Sequence, residues 1–398
     1  MAVSTEGLRV VVNGCERSRR LFDQPLPGVA GQAWIAGESV SPAEAVHEAA
    51  SILRRAIQPA FGGLATDVAG VRAVLDLADR TGGVVDHLGS RALMRNMLPL
   101  QESGWITATF AEVRNRADLI IVAGTDVVSR FPRFFERVAF GDAMFVQNET
   151  RDVVFIGENA ALDAVTRAGG RGARRIGCRN GSLAEIFGVL HGILTGSVVA
   201  HAPIDGVALE TLQELAERMR RARYGVLAWA AADLDFSHAD LAVAAMCSCV
   251  RVLNENTRFA ALPLAGNDAD TTANQVCLWQ TGYPLRIAFA NGRIDYDPHR
   301  YGIDEALSSG DADALVWIAS FDAERVPPAT SVPVIVLARR GMRLAPPPAV
   351  QIDVATPGLD HAGHFYRGDS VVAVRLRALV DSALPSVAAV IGQIAAAM

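Results

Sequence analysis

The sequence contains no lysine; all 37 of its basic residues are arginine. Chemistry built on an ε-amine is therefore excluded: no Schiff-base lysine, no pyridoxal anchor, no P-loop lysine. Cysteine is also sparse. Its five copies, at 15, 178, 247, 249 and 277, are too scattered for a disulfide framework, which points to the reducing cytoplasm. No apolar run of about eighteen residues is free of charge, so no membrane span is expected. Residues 1–6 have neither the basic flank nor the apolar stretch of a secretory signal. Charged residues are only 20% and the formal net charge is −6, which argues against a nucleic-acid binder.

What the chain has is apolar bulk, 51% of 398 residues. That supports about two or three domains with real cores, or broad surfaces covered by neighbouring proteins. Residues 1–40 read as irregular. Ser41-Pro42-Ala43-Glu44 then opens a helix to about Ala56, with a Ser cap, Pro at the first position and Glu closing a capping box. A buried strand at 59–65, an amphipathic helix at 68–80 and a short strand at 83–86 follow. A second series starts near residue 105. It has apolar strands at 117–124, 153–156 and 224–229 and helices at 183–194, 208–223 and 238–252. Strands at 313–318 and 332–337 resume the first series, and the apolar tail 385–398 reads as a docking helix. The alternation predicts an α/β protein with doubly wound sheets.

Several residues are candidates for chemistry. Cys247-Ser248-Cys249 has the wrong spacing for a redox or zinc motif and reads as core. His361 and His364 lack a third ligand and sit among glycines. Asp86-His87 is half of an acid/base pair with no nucleophile placed beside it. Arg171, Arg174, Arg175 and Arg179 form one basic cluster; Arg218, Arg220, Arg221 and Arg223 form another. Each is either an ion-paired face or an anion surface, because guanidinium forks take carboxylates bidentately.

The segment Gly266 to Pro284 reads GNDADTTANQVCLWQTGYP. It lacks the alternation of a core strand. It is also too rich in specific side chains (Asn267, Asn274, Gln275, Trp279, Gln280, Tyr283) for a plain loop. It resembles a stretch of the B subunit of formylmethanofuran dehydrogenase, of the molybdopterin oxidoreductase superfamily. Glu112 to Asp118, Phe131-Pro132-Arg133, Thr356 to Asp360 and Tyr366 to Asp369 are similar to further stretches of that family, in the same order. The resemblance runs from about Gly7 to Leu379. It implies two doubly wound Rossmann-like αβ domains, one inserted in the other, without a C-terminal β-barrel. Residues 1–92 and 259–398 would form the discontinuous domain and 93–258 the insert.

That family holds molybdenum or tungsten through a Cys followed by His-Gly-Pro-Ser, and soft thiolates suit such metals. By the same resemblance the Cys position falls here on Ala92 and the His position on Leu93. Asn13-Gly14-Cys15 is similar to only the last of four iron–sulfur cysteines. The pterin loops are altered to Gly124-Thr125-Asp126 and Gly157-Glu158-Asn159. The resemblance therefore implies no catalytic residue, no metal and no cofactor. It implies a structural subunit of a formyltransferase/hydrolase complex in one-carbon metabolism, from formaldehyde to formate. The implied partners are an amidohydrolase-like subunit, a formyltransferase subunit and a β-helical C subunit. A methanofuran-like carrier would be reached indirectly, its glutamate-rich tail touching the arginine clusters. The alternatives are an active molybdenum- or tungsten-pterin subunit whose metal is held by pterin alone, and a free-standing binding protein.

Overall fold

The described residues among the first forty are more regular than their composition suggests. The computed structural model, which describes residues 2–4, 7–23, 32–197, 203–290 and 292–398, places here strands β1 (Ala2–Ser4) and β2 (Gly7–Arg9) and helix α1 (Glu16–Phe22). The hairpin β3 (Ala33–Ile35) to β4 (Glu38–Val40) follows. Helix α2 (Pro42–Arg55) begins with the expected box. Ser41 Oγ accepts the Glu44 N–H at 3.3 Å, and the Glu44 carboxylate accepts the Ser41 N–H at 2.9 Å. Strand β5 (Pro59–Ala65) is buried throughout. Helix α3 (Val68–Thr81) buries Val71, Val74, Leu75 and Ala78 and ends at Gly82, whose φ of 68° favours glycine. Strand β6 (Val84–Val85) and helix α4 (Ser90–Ser103) follow.

Next come α5 (Phe110–Arg116), β7 (Leu119–Ala123), α6 (Val127–Arg130), β8 (Asp152–Ile156), α7 (Leu162–Arg167) and β9 (Arg174–Ile176). Helices α8 (Leu183–Leu194) and α9 (Leu209–Arg221), strand β10 (Gly225–Trp229), helix α10 (Ala239–Leu253) and strand β11 (Phe259–Pro263) complete that stretch. The remainder is α11 (Asp270–Thr281), β12 (Ile287–Ala290), β13 (Arg293–Tyr296), α12 (Ile303–Ser308), β14 (Ala314–Ala319), β15 (Val334–Arg339) and β16 (Val350–Val354). The hairpin β17 (Gly363–Tyr366) to β18 (Ala373–Leu376) and helix α13 (Val387–Ala397) end the chain. The segment expected to be neither strand nor plain loop thus contains the helix α11.

The chain divides into two units. One comprises Met1–Arg91, Gly266–Gly368 and Val372–Met398; the other comprises Ala92–Ala265 and Asp369–Val371. The first holds a nine-stranded sheet in the order β13-β12-β6-β5-β14-β15-β16-β3-β4. Its centre, β6 through β16, is parallel, and its edges are antiparallel. Helix α13 packs on α2 and α3, so the apolar tail is covered by its own unit. The second unit holds a five-stranded parallel sheet, β11-β10-β7-β8-β9. Parallel strands are covered on both faces, which is why Leu119 to Ala123 is apolar and buried residue by residue. Each order reverses direction once, between β5 and β14 and between β7 and β10. In open α/β sheets such reversals leave a crevice at the carboxyl ends of the strands. Among the described residues no helix is long and apolar enough to cross a membrane.

Trp229 anchors the core of the second unit. It is fully buried, and its indole N–H donates to Asn96 Oδ1 at 2.9 Å. Trp229→Phe leaves the buried Asn96 oxygen without that donor and opens a void. The expected loss is about 2 kcal/mol, read as a lower urea midpoint at unchanged slope. An unchanged midpoint would show that this bond is not part of the core.

Candidate functional site

At both reversal points polar groups of the chain bond to one another. In the first unit β5 runs into Thr66-Asp67, and Asp67 caps α3 by accepting the Gly70 N–H at 3.0 Å. Ser320, just past β14, donates its N–H and its hydroxyl to the Ala65 carbonyl at 2.9 and 2.7 Å. The Thr356 hydroxyl donates to the Ser320 carbonyl at 2.8 Å. In the second unit β7 runs into Thr125-Asp126. The Asp126 carboxylate accepts the Ser129 hydroxyl at 2.6 Å and the Ser129 N–H at 3.1 Å, and these bonds hold its pKa below the usual carboxylate range. Asp233, past β10, accepts the Asp126 N–H at 3.1 Å and the Arg130 Nε–H at 2.7 Å. Thr125 Oγ1 accepts the Ala230 N–H at 2.7 Å. Past β8, Glu158 accepts the Asn180 N–H at 3.2 Å. Donors at these strand ends are thus bonded internally, to carboxylates, to carbonyls or to the Thr125 hydroxyl. Sequence reasoning missed the shared device, although its signal is visible: Thr-Asp-Val stands at 66–68 and again at 125–127, each time after an apolar strand.

A second polar cluster follows β6. Asp86 and His87 are each 2% exposed. The Asp86 carboxylate accepts the His87 N–H at 2.8 Å, the Ser90 hydroxyl at 2.8 Å and the Ile303 N–H at 3.2 Å, with Arg286 Nε 3.6 Å away. Burial pushes Asp86 up to about 6, with Arg286 opposing. His87 Nδ1 accepts the Gly89 N–H at 2.9 Å, so its proton sits on Nε2, which donates to the Asp268 carbonyl at 2.9 Å. Burial lowers the pKa of His87, with the Asp270 carboxylate opposing. Both ring nitrogens are taken by backbone, and Ser90 faces Asp86 rather than the imidazole. In this arrangement no nucleophile among the described residues is hydrogen-bonded to the imidazole. The pair clamps a loop.

That loop is strained. Gly266, Asp268 and Ala269 have φ of 100°, 50° and 62°, and left-handed backbone at the two non-glycine residues costs on the order of 1 kcal/mol or more each. Several groups hold it. Arg325 pairs with Asp268 at 2.9 Å, Arg17 donates to Asn267 Oδ1 at 3.2 Å, and Asp270 accepts the Gly266 N–H at 2.7 Å. An open cavity of about 340 Å³ lies beside this cluster, lined by Arg91, Arg286, Arg325, Glu305 and Trp317 among others.

Thiolates are not at hand. Ala92 and Leu93 lie in the first turn of α4, and Leu93 is buried. Burial pushes Cys178 and Cys247 up to about 11 and Cys249 and Cys277 up to about 12. Cys15 differs: burial raises it, but hydrogen bonds from Ser18 and Arg17 outweigh this and lower its pKa. Among the described residues no group of three His, Cys, Asp or Glu could hold a metal ion. His361 donates to the Ala362 carbonyl at 2.8 Å, and His364 is exposed in β17. Cys247 and Cys249 are buried in α10, as core.

The arginine clusters are partly engaged. Arg218 bonds Asp152 at 2.7 Å and Arg220 bonds Glu217 at 2.6 Å, with Arg221 4.0 Å from Glu217. Arg218 and Arg221 share a groove with Asp118, Asp152, Glu214 and Glu217. The Arg223 backbone N–H donates to Asp118 at 2.9 Å. Arg179 pairs with Asp205 at 3.2 Å and Arg175 donates to the Glu158 carbonyl at 3.0 Å. Arg171 and Arg174 are exposed.

No family model matches the sequence. The chain is 28% identical over 302 residues to the B subunit of the formyltransferase/hydrolase complex Fhc of Methylorubrum extorquens, covering 74% of this chain and 76% of the relative. It is 25% identical over 345 residues to the B subunit of the tungsten-containing formylmethanofuran dehydrogenase 2 of Methanocaldococcus jannaschii, covering 85% and 78%. Its fold matches a chain of the crystal structure of the formyltransferase/hydrolase complex FhcABCD from Methylorubrum extorquens with methylofuran. There the TM-score is 0.76 at 25% identity, covering 91% of this chain and 97% of that one. The chain resembles these B subunits. It shares their mixed α/β architecture with a large sheet. Its donor set does not fit a molybdenum or tungsten pterin. Cys178, Cys247, Cys249 and Cys277 are buried with raised pKa, and the carboxylates of Asp67 and Asp126 occupy donors at the helix starts past β5 and β7.

The two caps and the clamp can each be tested by stability. Asp67→Ala and Asp126→Ala each remove a helix cap and cost about 1 kcal/mol, measured by denaturant unfolding; no loss would mean that these carboxylates hold nothing. His87→Ala removes two backbone bonds and costs about 2–4 kcal/mol. Because the folded pKa of His87 lies below its ordinary 6.5, its contribution is complete above about pH 6.5 and is lost as pH falls. Asp86, raised to about 6, has the opposite slope between about pH 4 and 6. The wild-type minus His87→Ala stability difference should therefore shrink below pH 6.5; a constant difference refutes the neutral clamp.

Proposed function

We propose that this chain is a non-catalytic, structural B subunit of a formyltransferase/hydrolase complex in one-carbon metabolism. The observation that carries the proposal is the pair of carboxylates at the helix starts past β5 and β7: Asp67 accepts the Gly70 N–H and Asp126 the Ser129 N–H, donors that a phosphate would otherwise use. The likeness to the Methylorubrum extorquens relative supports the choice of complex. On this reading the two units are doubly wound Rossmann-like domains of the molybdopterin oxidoreductase type, without a C-terminal barrel. The insert corresponds to the second unit, Ala92–Ala265; its end lies past the 258 that the sequence suggested because β11 pairs with β10 in that unit's sheet.

The setting is cytoplasmic. The partners are an amidohydrolase-like subunit, a formyltransferase subunit and a β-helical C subunit, and formyl transfer and hydrolysis reside in them. Neither Ala92 nor Leu93 can ligate a metal or move a proton. Contact with the acidic tail of a methanofuran-like carrier is assigned to the exposed Arg171 and Arg174. Arg218 and Arg220 are committed to Asp152 and Glu217.

Co-expression of the tagged chain with the three partner subunits tests the assignment. The expected result is a single hetero-complex that releases formate and keeps its turnover in Asp86→Asn, whose residue has no reacting group to serve. A chain that elutes alone, or a turnover that falls with Asp86→Asn in a folded complex, would overturn it.

A further inference from the structure

The stretch from 164 to 184 contains Arg167, Arg171, Arg174, Arg175 and Arg179 and not one carboxylate, on a chain of net charge −6. Arg179 is held by Asp205 at 3.2 Å, and Arg175 donates to the Glu158 carbonyl at 3.0 Å. Arg167, Arg171 and Arg174 are exposed, and among the described residues their side chains have no hydrogen bond or ion pair. Like charges gathered in one stretch repel one another, and an anion laid over them relieves that repulsion.

Backbone groups stand open beside these cations. Strand β9 is the edge of its sheet. The Gly157 N–H donates to the Ile176 carbonyl at 3.0 Å, so the polar backbone of Ile176 faces β8. Backbone groups alternate along a strand. The N–H and carbonyl of Arg175 therefore point out of the sheet, where one more extended chain would bond.

The arginines also flank that edge on both faces. Arg174 is in register with Val154, which packs in the core beneath α8, and Arg175 is in register with Phe155, which packs against Val165 of α7. Side chains paired across strands share a face, so Arg174 and Arg175 lie on opposite ones. Helix α7 ends in Arg167 on the Arg175 side. A second copy is a poor occupant, because joining two such edges sets arginine against arginine. An apolar strand would leave the guanidinium groups without countercharge.

We propose that the edge of β9 seats the acidic carrier tail as an extended amide chain, bonded to the Arg175 backbone, with its carboxylates taken by Arg167, Arg171 and Arg174. The proposal rests on the assignment of Arg171 and Arg174 to that tail above and deepens it. It adds Arg167, and it makes an open sheet edge part of the recognition, where charge alone would give no register.

The test uses the full-length chain for binding and the co-expressed complex, purified with its carrier, for retention. The binding probe is an N-acetylated hexaglutamate peptide, with hexaglutamine as its control, followed by calorimetry. The wild-type chain should bind hexaglutamate, bind it less as salt rises, and ignore hexaglutamine. Arg167→Gln with Arg171→Gln and Arg174→Gln should weaken binding at least about tenfold at an unchanged melting temperature. Arg293→Gln with Arg343→Gln, exposed arginines of the other unit, should leave it unchanged. Arg175→Pro should bind about fivefold more weakly than Arg175→Gln, since proline removes the outward N–H at a place where an edge strand tolerates it. In the complex the triple variant should shed carrier at lower salt than wild type, with every subunit retained. No hexaglutamate binding by the wild-type chain, or equal binding by the triple variant, overturns the proposal; assembly of the complex then leaves the scaffold reading standing. Equal binding by Arg175→Pro and Arg175→Gln removes the sheet edge from it. A triple variant that loses a subunit but keeps its carrier overturns it in favour of an acidic segment of that subunit. A wild-type chain that does not assemble overturns the scaffold reading as well.

Discussion

Two carboxylates, Asp67 and Asp126, sit at the helix starts that face the reversal points of the two sheets. A helix start carries partial positive charge and unpaired N–H groups, so it attracts either a ligand's anion or a side chain. Here the chain supplies the side chain. The neighbouring bonds agree: Asp233 accepts the Asp126 N–H, Thr125 accepts the Ala230 N–H, and Ser320 donates twice to the Ala65 carbonyl. A phosphate placed there would meet negative charge and have few donors left. Much of the polar chemistry at these points is paired within the chain, although the buried Thr66 hydroxyl beside Asp67 has no hydrogen-bond partner.

The Asp86–His87 cluster shows a related economy. Buried, oppositely shifted ionisable groups in a cleft are the usual mark of acid/base chemistry. Every polar atom quoted for the pair is already engaged by backbone, by Ser90 or by Arg286. The strain at Asp268 and Ala269 is held by His87, Arg325 and Arg17, and its consequence is to launch α11. That helix leaves the core and exposes Trp279 and Tyr283. A polar cluster inside the first unit therefore positions exposed aromatic side chains at that unit's surface.

Much of the fold could be read locally. Ser41 and Glu44 signal their helix through the capping box, and the apolar runs at 119–123 and 225–229 signal strands buried on both faces. Helix α11 was hidden for two reasons. Left-handed backbone precedes it, and its buried face is polar: Thr272 Oγ1 accepts the Tyr366 N–H and Asn274 Oδ1 accepts the Leu285 N–H. Such pairings are tertiary and leave no period. Helix α4 was obscured by Pro99 inside it. The changes at Ala92 and Leu93 carry no signal by themselves, since an alanine and a leucine in a helix are ordinary; only the family likeness gives them meaning. The repeated Thr-Asp-Val was legible, but its consequence needed both sheet orders.

Metal and pterin content of the purified, active complex tests the central claim most directly. Elemental analysis for molybdenum and tungsten, with fluorescence of oxidised pterin, should find far less than one metal and one pterin per copy of this chain. One heavy metal with a dinucleotide pterin per copy would contradict the account, because the helix-start donors bonded to Asp67 and Asp126 would then have to be released.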